Sequence, residues 1–177
     1  NPRDERDNRN PELVLTEPLG SDFVNGGLYL ADRDGGTSPS DPVVSVVRKF
    51  NMKSGAPMGE VRVPKSNGFN DLAVANDGTV YATQTGGGGA TPDPTTWQVW
   101  KITPAGEASI LVQGAPLRQP NGIALDPKGN IVVVNIGTDD VQTFTPTGML
   151  VSTEKASQPG NDGLVIRPDG TKYVSSV

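Results

Sequence analysis

The sequence contains neither cysteine nor histidine. Without cysteine there is no disulfide framework and no thiolate metal site. Without histidine, Ser-His-Asp and Cys-His catalysis and histidine-ligated zinc are excluded. Basic residues are also few. The 15 Lys and Arg are scattered and outnumbered by 20 Asp and Glu, for a net charge of −5, which offers no basic stripe to a nucleic-acid backbone. Long apolar runs are missing too: the longest is Ile131 to Val134, with Ile136 just beyond, far short of the roughly 20 residues a membrane-spanning helix needs. These absences predict a soluble chain with no nucleic-acid partner and no membrane span. The chain opens on Asn1, not methionine, which predicts a removed leader or a longer parent chain. A secreted or periplasmic setting is favoured over a cytoplasmic one.

What is abundant is turn chemistry. The 22 glycines and 16 prolines exceed a fifth of the 177 residues, too many for a helical protein and suited to short strands joined by many turns. An all-β class is expected. Residues 1–10 are charged and asparagine-rich with nothing to bury, and read as a polar tail.

Beyond that tail one pattern occurs three times, as FNDLAVANDGTVYATQTG from Phe69, PNGIALDPKGNIVVVNIG from Pro120 and NDGLVIRPDGTKYVSSV from Asn161. Each copy has a polar residue opening an alternating apolar strand, then a turn glycine, then a returning strand rich in Val or Tyr, which is the pattern of a β-hairpin. A weaker fourth copy turns at Asn25-Gly26 and returns over Leu28 to Ala31. The turn glycines Gly26, Gly78, Gly129 and Gly170 lie 52, 51 and 41 residues apart. A second hairpin follows in three copies: Val43 to Phe50 with Glu60 to Val63, Trp97 to Ile102 with Ser109 to Val112, and Val141 to Phe144 with Met149 to Ser152. Four strands in about 40 to 50 residues make one blade of a β-propeller. The expected architecture is a partial β-propeller over residues 11–177, with blades near 11–66, 67–117 and 118–159 and an incomplete one at 160–177. A six-bladed ring would need about 250 to 300 residues, so missing blades or a second chain are expected to complete it.

Radial stacking places the residues that open the innermost strands around one end of a central channel. Asn70, Asn121 and Asp162 share that position in three successive repeats. Three oxygen donors there suit a hard cation such as Ca²⁺. The alternative is that each makes an Asx-type bond to nearby backbone, as such residues commonly do at strand starts. Residue pattern alone leaves both open.

The segments Phe69-Asn70-Asp71, Pro120-Asn121-Gly122 and Asp162-Gly163-Leu164 resemble blade motifs of the senescence marker protein, gluconolactonase and regucalcin-like family. The resemblance runs from about Gly27 to Val177. It implies a divalent-metal-dependent hydrolase of sugar lactones in which water attacks a metal-polarised carbonyl. It further implies Asn70, Asn121 and Asp162 as metal ligands, with a small lactone or ester as the partner; Asp162, the only charged member of the trio, is the candidate general base as well as a ligand, and Asp71 the candidate substrate-binding residue. Oxygen-only ligation argues for a hard ion and favours Ca²⁺ over Zn²⁺, with Mg²⁺ and Mn²⁺ as alternatives. Two departures stand out. The family's substrate-contacting arginine lies two residues before the first asparagine, where this chain has Gly68. The family's glutamate ligand should lie two blades before Asn70, whereas Glu17 is only about one blade away and reads as a surface carboxylate.

The rival reading is a non-catalytic propeller, a binding or scaffold module that has lost the lactonase pocket. Other constellations are weak. Gly86 to Gly89 is followed by no Lys-Ser/Thr pair and lies between strands, so it reads as a mobile loop over the channel mouth and not as a phosphate cradle. Asp32, Asp34 and Gly35 only faintly resemble a calcium loop, since no glutamate stands at the twelfth position. Ser175-Ser176 reads as strand.

Overall fold

In a computed structural model the described residues are 15–36, 38–88 and 90–177. They form fourteen strands: β1 (Ser21–Val24), β2 (Gly27–Asp34), β3 (Val44–Asn51), β4 (Pro57–Val63), β5 (Leu72–Val74), β6 (Val80–Gln84), β7 (Gln98–Ile102), β8 (Ala108–Gln113), β9 (Pro120–Leu125), β10 (Ile131–Asn135), β11 (Asp140–Phe144), β12 (Leu150–Lys155), β13 (Asn161–Ile166) and β14 (Lys172–Ser176). The strands pair in sequence order into antiparallel sheets β1–β4, β5–β8 and β9–β12, followed by the hairpin β13–β14. Each sheet is one blade, so the chain is an arc of a β-propeller. No helix among the described residues is long and apolar enough to cross a membrane.

The hairpins form where the turn glycines predict them. Asn25 and Gly26 both have positive φ, 50° and 76°, as a two-residue type I′ turn requires. The later inner hairpins use longer turns, and there an aspartate caps the loop: Asp77 and Asp169 each accept the N–H two residues on, and Asp126 accepts those of Lys128 and Asn130. The second hairpins also match, although β4 begins earlier than expected, at Pro57. A short 3-10 turn at Pro94–Thr96, capped by Asp93, precedes β7.

The core lies between blades. Along β6, Val80 and Ala82 pack with Tyr29, Val47 and Trp100 in one cluster, while Tyr81 packs with Ile123, Ile131 and Val133 in the next. On β10 the alternation repeats, Val132 and Val134 turning to Leu164 of the fourth sheet. Both faces of these central strands are therefore buried, which explains why Ile131 to Val134 reads as a continuous apolar run. Each such side chain contributes about 1.5–3 kcal/mol on burial. The outermost strand β12 is exposed throughout.

Candidate functional site

The innermost strands β5, β9 and β13 stand side by side. Thr83 Oγ1 donates to the Asn121 carbonyl at 2.5 Å and Thr85 Oγ1 to the Pro120 carbonyl at 2.8 Å, joining the second blade to the opening of β9. The third and fourth blades meet at Gly122. A Cβ there would lie 2.5 Å from the Asp162 carbonyl oxygen and 2.8 Å from the Leu164 nitrogen, so only glycine permits this backbone approach. Asn70, Asn121 and Asp162 thus open three neighbouring innermost strands, as the repeat predicts.

None of the three makes the Asx-type bond. Their side chains have no hydrogen bond or ion pair to any described residue, although Asn121 is buried and the other two are half-buried. The contrast with neighbouring acids is sharp. Asp22 Oδ2 accepts the Val74 N–H at 2.7 Å, and Asp71 accepts those of Leu72 at 2.9 Å and Ile123 at 3.1 Å. Beside Asp162, the buried Asn161 has an Oδ1 with no partner among the described residues, while its amide donates to the Thr138 carbonyl. The free donors are thus oxygens, two amides and one carboxylate, a set suited to a hard cation. Among the described residues there is no cluster of three or more His, Cys, Asp or Glu that could hold an ion, so a site here depends on amide oxygens.

Asp71 is not a freely presented substrate group. Its carboxylate ties the second blade to Ile123 of the third and packs where a Cβ on Gly20 of the first would fall. Burial raises its pKa to about 6 against the pull of the Ile123 and Leu72 amides, and the nearby charges of Asp22 and Asp162 add to the rise.

The position two residues before each opening residue has positive φ in all three repeats: Gly68 at 133°, Gln119 at 55° and Gly160 at 79°. Against Gly68 lies the Arg33 side chain from β2, its Nη1 3.7 Å from where a Cβ would stand. Arg33 pairs with Glu17, and its Nε is buried with no partner among the described residues. Glu17 is half exposed, as a surface carboxylate should be. The backbone pairing of Leu19 with Ala31 mirrors that of Asn70 with Thr83, so the first blade presents an apolar residue where the others present a ligand type. The supposed calcium loop is occupied by its own ion pairs, Asp32 with Arg48 and Asp34 with Arg62. Gly86 to Gly88 follow β6 as expected, and Gly89 lies outside the described residues. The loop expected to be mobile is tied by two side chains at Gly87. Thr96 Oγ1 accepts the Gly87 N–H, and Trp97 Nε1 donates to the Gly87 carbonyl.

Sequence reading passed over Arg33 and Gln119 because neither lies in the repeated motif. Aligning the repeats at the position before the motif would have marked Gln119, which stands where the other copies have glycine.

No protein-family model matches the chain, and no curated protein matches it. Solved structures do. A streptogramin B lyase is 16% identical with a TM-score of 0.68, the match covering 94% of this chain and 50% of that one. A chain of a nidogen/laminin complex is 16% identical with a TM-score of 0.60, covering 85% and 52%. A gluconolactonase of Xanthomonas campestris is 19% identical with a TM-score of 0.55, covering 92% and 70%. The chain therefore spans about half the length of the first structures it matches. At such identities the likeness is one of fold, and that fold is the partial β-propeller.

Proposed function

We propose that this chain carries the metal-binding arc of a gluconolactonase-like propeller that hydrolyses lactones. The observation that supports this most is the trio Asn70, Asn121 and Asp162: one repeat position, three adjacent innermost strands, and side-chain oxygens with no hydrogen-bond partner among the described residues. The similarity to a gluconolactonase is consistent with it. A divalent cation held by these oxygens, Ca²⁺ before Zn²⁺, Mg²⁺ or Mn²⁺, would supply Lewis-acid polarisation of the lactone carbonyl. Asp162, the one carboxylate of the trio, accepts the proton of the attacking water. Asp71, its carboxylate held by the Leu72 and Ile123 amides, ties the second and third blades together beside this site and takes no direct substrate contact.

Two observations favour a second reading, a binding module without catalysis. The apolar Leu19 at the matching place in the first blade leaves the ligand set at three, and a nidogen/laminin complex is among the structural matches. Calorimetric titration with Ca²⁺, paired with pH-stat assay of glucono-δ-lactone, separates the two. The lactonase reading expects saturable Ca²⁺ binding weakened at least about tenfold by Asp162→Asn, with hydrolysis lost in parallel. Ca²⁺ binding that ignores Asp162→Asn, or no binding at all, would sink it.

A further inference from the structure

Left-handed backbone is ordinary for glycine and uncommon for a residue with a side chain. Gly68 and Gly160 meet this demand at their places in the repeat, and Gln119 meets it with a full side chain. The conformation is fixed from both sides: Asn135 Oδ1 accepts the Arg118 N–H at 2.8 Å, and the Gln119 carbonyl accepts the Ile136 N–H at 3.0 Å. Space for the side chain comes from two more glycines. A Cβ on Gly137 would lie 3.1 Å from Gln119 Oε1, and one on Gly88 would overlap the Gln119 carboxamide outright. The half-buried carboxamide hydrogen bonds to no described residue. It therefore contributes no polar tie among the described residues, yet the local backbone and two neighbouring loops accommodate it. It sits two residues before Asn121, at the end of the arc where the innermost strands begin. Strained backbone concentrates where a side chain serves a ligand.

We propose that Gln119 is a specificity-determining residue, its carboxamide hydrogen bonding to a hydroxyl of a polyhydroxylated lactone at the channel mouth. This rests on the lactonase reading above. A neutral amide offers both a donor and an acceptor, which suits a hydroxyl and gives no advantage to an unsubstituted ring.

The test compares the full chain with Gln119→Gly, which removes the side chain while relaxing the backbone, and with Gln119→Asn, which tolerates positive φ and keeps a shorter amide. Substrates are glucono-δ-lactone and δ-valerolactone, the latter without hydroxyls. Gln119→Gly should raise KM for glucono-δ-lactone about tenfold, the scale of one hydrogen bond, with kcat and the δ-valerolactone rate unchanged and Tm no lower than wild type. Gln119→Asn should fall between. Equal losses on both lactones, unchanged discrimination, or a lowered Tm would overturn the proposal. A second arm follows the side-chain amide resonance of Gln119 by NMR during titration with gluconate. If neither lactone is hydrolysed and the resonance still moves, the contact stands and the lactonase reading fails. If lactone is hydrolysed and the resonance stays still, the contact alone fails. No hydrolysis and no shift overturns both.

Discussion

A carboxylate that accepts two backbone amides ordinarily titrates low, yet Asp71 is pushed up to about 6 because burial, with the charges of Asp22 and Asp162 nearby, outweighs those bonds. The folded state then holds this proton more tightly than the unfolded chain does. Between about pH 4 and 6 folding is linked to proton uptake, so stability falls as pH rises through that window, by on the order of 3 kcal/mol in all. Asp32 has the opposite sign. Its burial opposes ionisation, but the Arg48 guanidinium and the amides of Glu17, Thr16 and Arg33 hold its pKa below the ordinary value. Its contribution is present above the unfolded pKa and is lost as pH falls through the folded one. Thermal midpoints measured from pH 4 to 7 should therefore decline toward neutrality in the wild type, and the decline should flatten in Asp71→Asn. An unchanged slope in the variant would assign it to other groups. Arg48 supplies a second expectation at this scale. It is almost fully buried between Asp32 and Glu60, so Arg48→Met leaves a buried carboxylate unpaired and should cost about 3–5 kcal/mol in urea unfolding.

At the scale of strands and turns, glycines of one sequence type differ in what they do. Gly129 has φ 80° with nothing within 4 Å of its missing Cβ, whereas the Cβ site of Gly122 is filled by the backbone of the fourth sheet. Gly129→Ala should cost about 1–2 kcal/mol for the left-handed conformation alone. Gly122→Ala has to push β13 away from β9. It should lose about 1–3 kcal/mol or more and weaken Ca²⁺ binding as Asp162 moves off the arc; unfolding curves and calorimetry on the two variants check both. If Gly122→Ala binds Ca²⁺ like the wild type, the trio does not act as one site. This pair also marks the limit of the sequence. Gly129 announces its turn through neighbours such as Asp126 and the returning valines, a local pattern, so the inner hairpins and their repeat were legible. What Gly122, Asp71 and Gln119 do depends on partners in other blades, such as Asp162, Ile123 and Gly88. Residue spacing carries no mark of those contacts. The position shared by Asn70, Asn121 and Asp162 was legible because the repeat itself brings them together. The free state of their side chains was not, since an asparagine before a strand reads the same whether or not it bonds to the backbone.

Across the whole arc, stability should follow the number of blade interfaces a strand serves. β10 serves two. Its residues Ile131 and Val133 pack toward the second blade and Val132 and Val134 toward the fourth, all four at 0% exposure. Its amides also pair on both sides, with β9 and β11. Among the described residues β14 pairs with β13 alone, and Tyr173 and Val177 on and beyond it are exposed. Local opening needs less free energy where few apolar contacts and unshared strand edges hold the backbone. Native-state hydrogen exchange should therefore rank the β10 amides as slowest, near the global unfolding limit, followed by β6, which is buried on both faces. The β14 amides should exchange by local fraying, with rates insensitive to low denaturant. The ranking ties back to the proposed site, because Asp162 lies on β13, whose sheet partner among the described residues is β14, while Asn121 lies on β9 beside the most protected strand. Ca²⁺ bridging the two should slow exchange along β13 and β14 far more than along β10, since a ligand adds protection only to openings that break its site. Uniform slowing on adding Ca²⁺, or slowing confined to β10, would place the ion elsewhere.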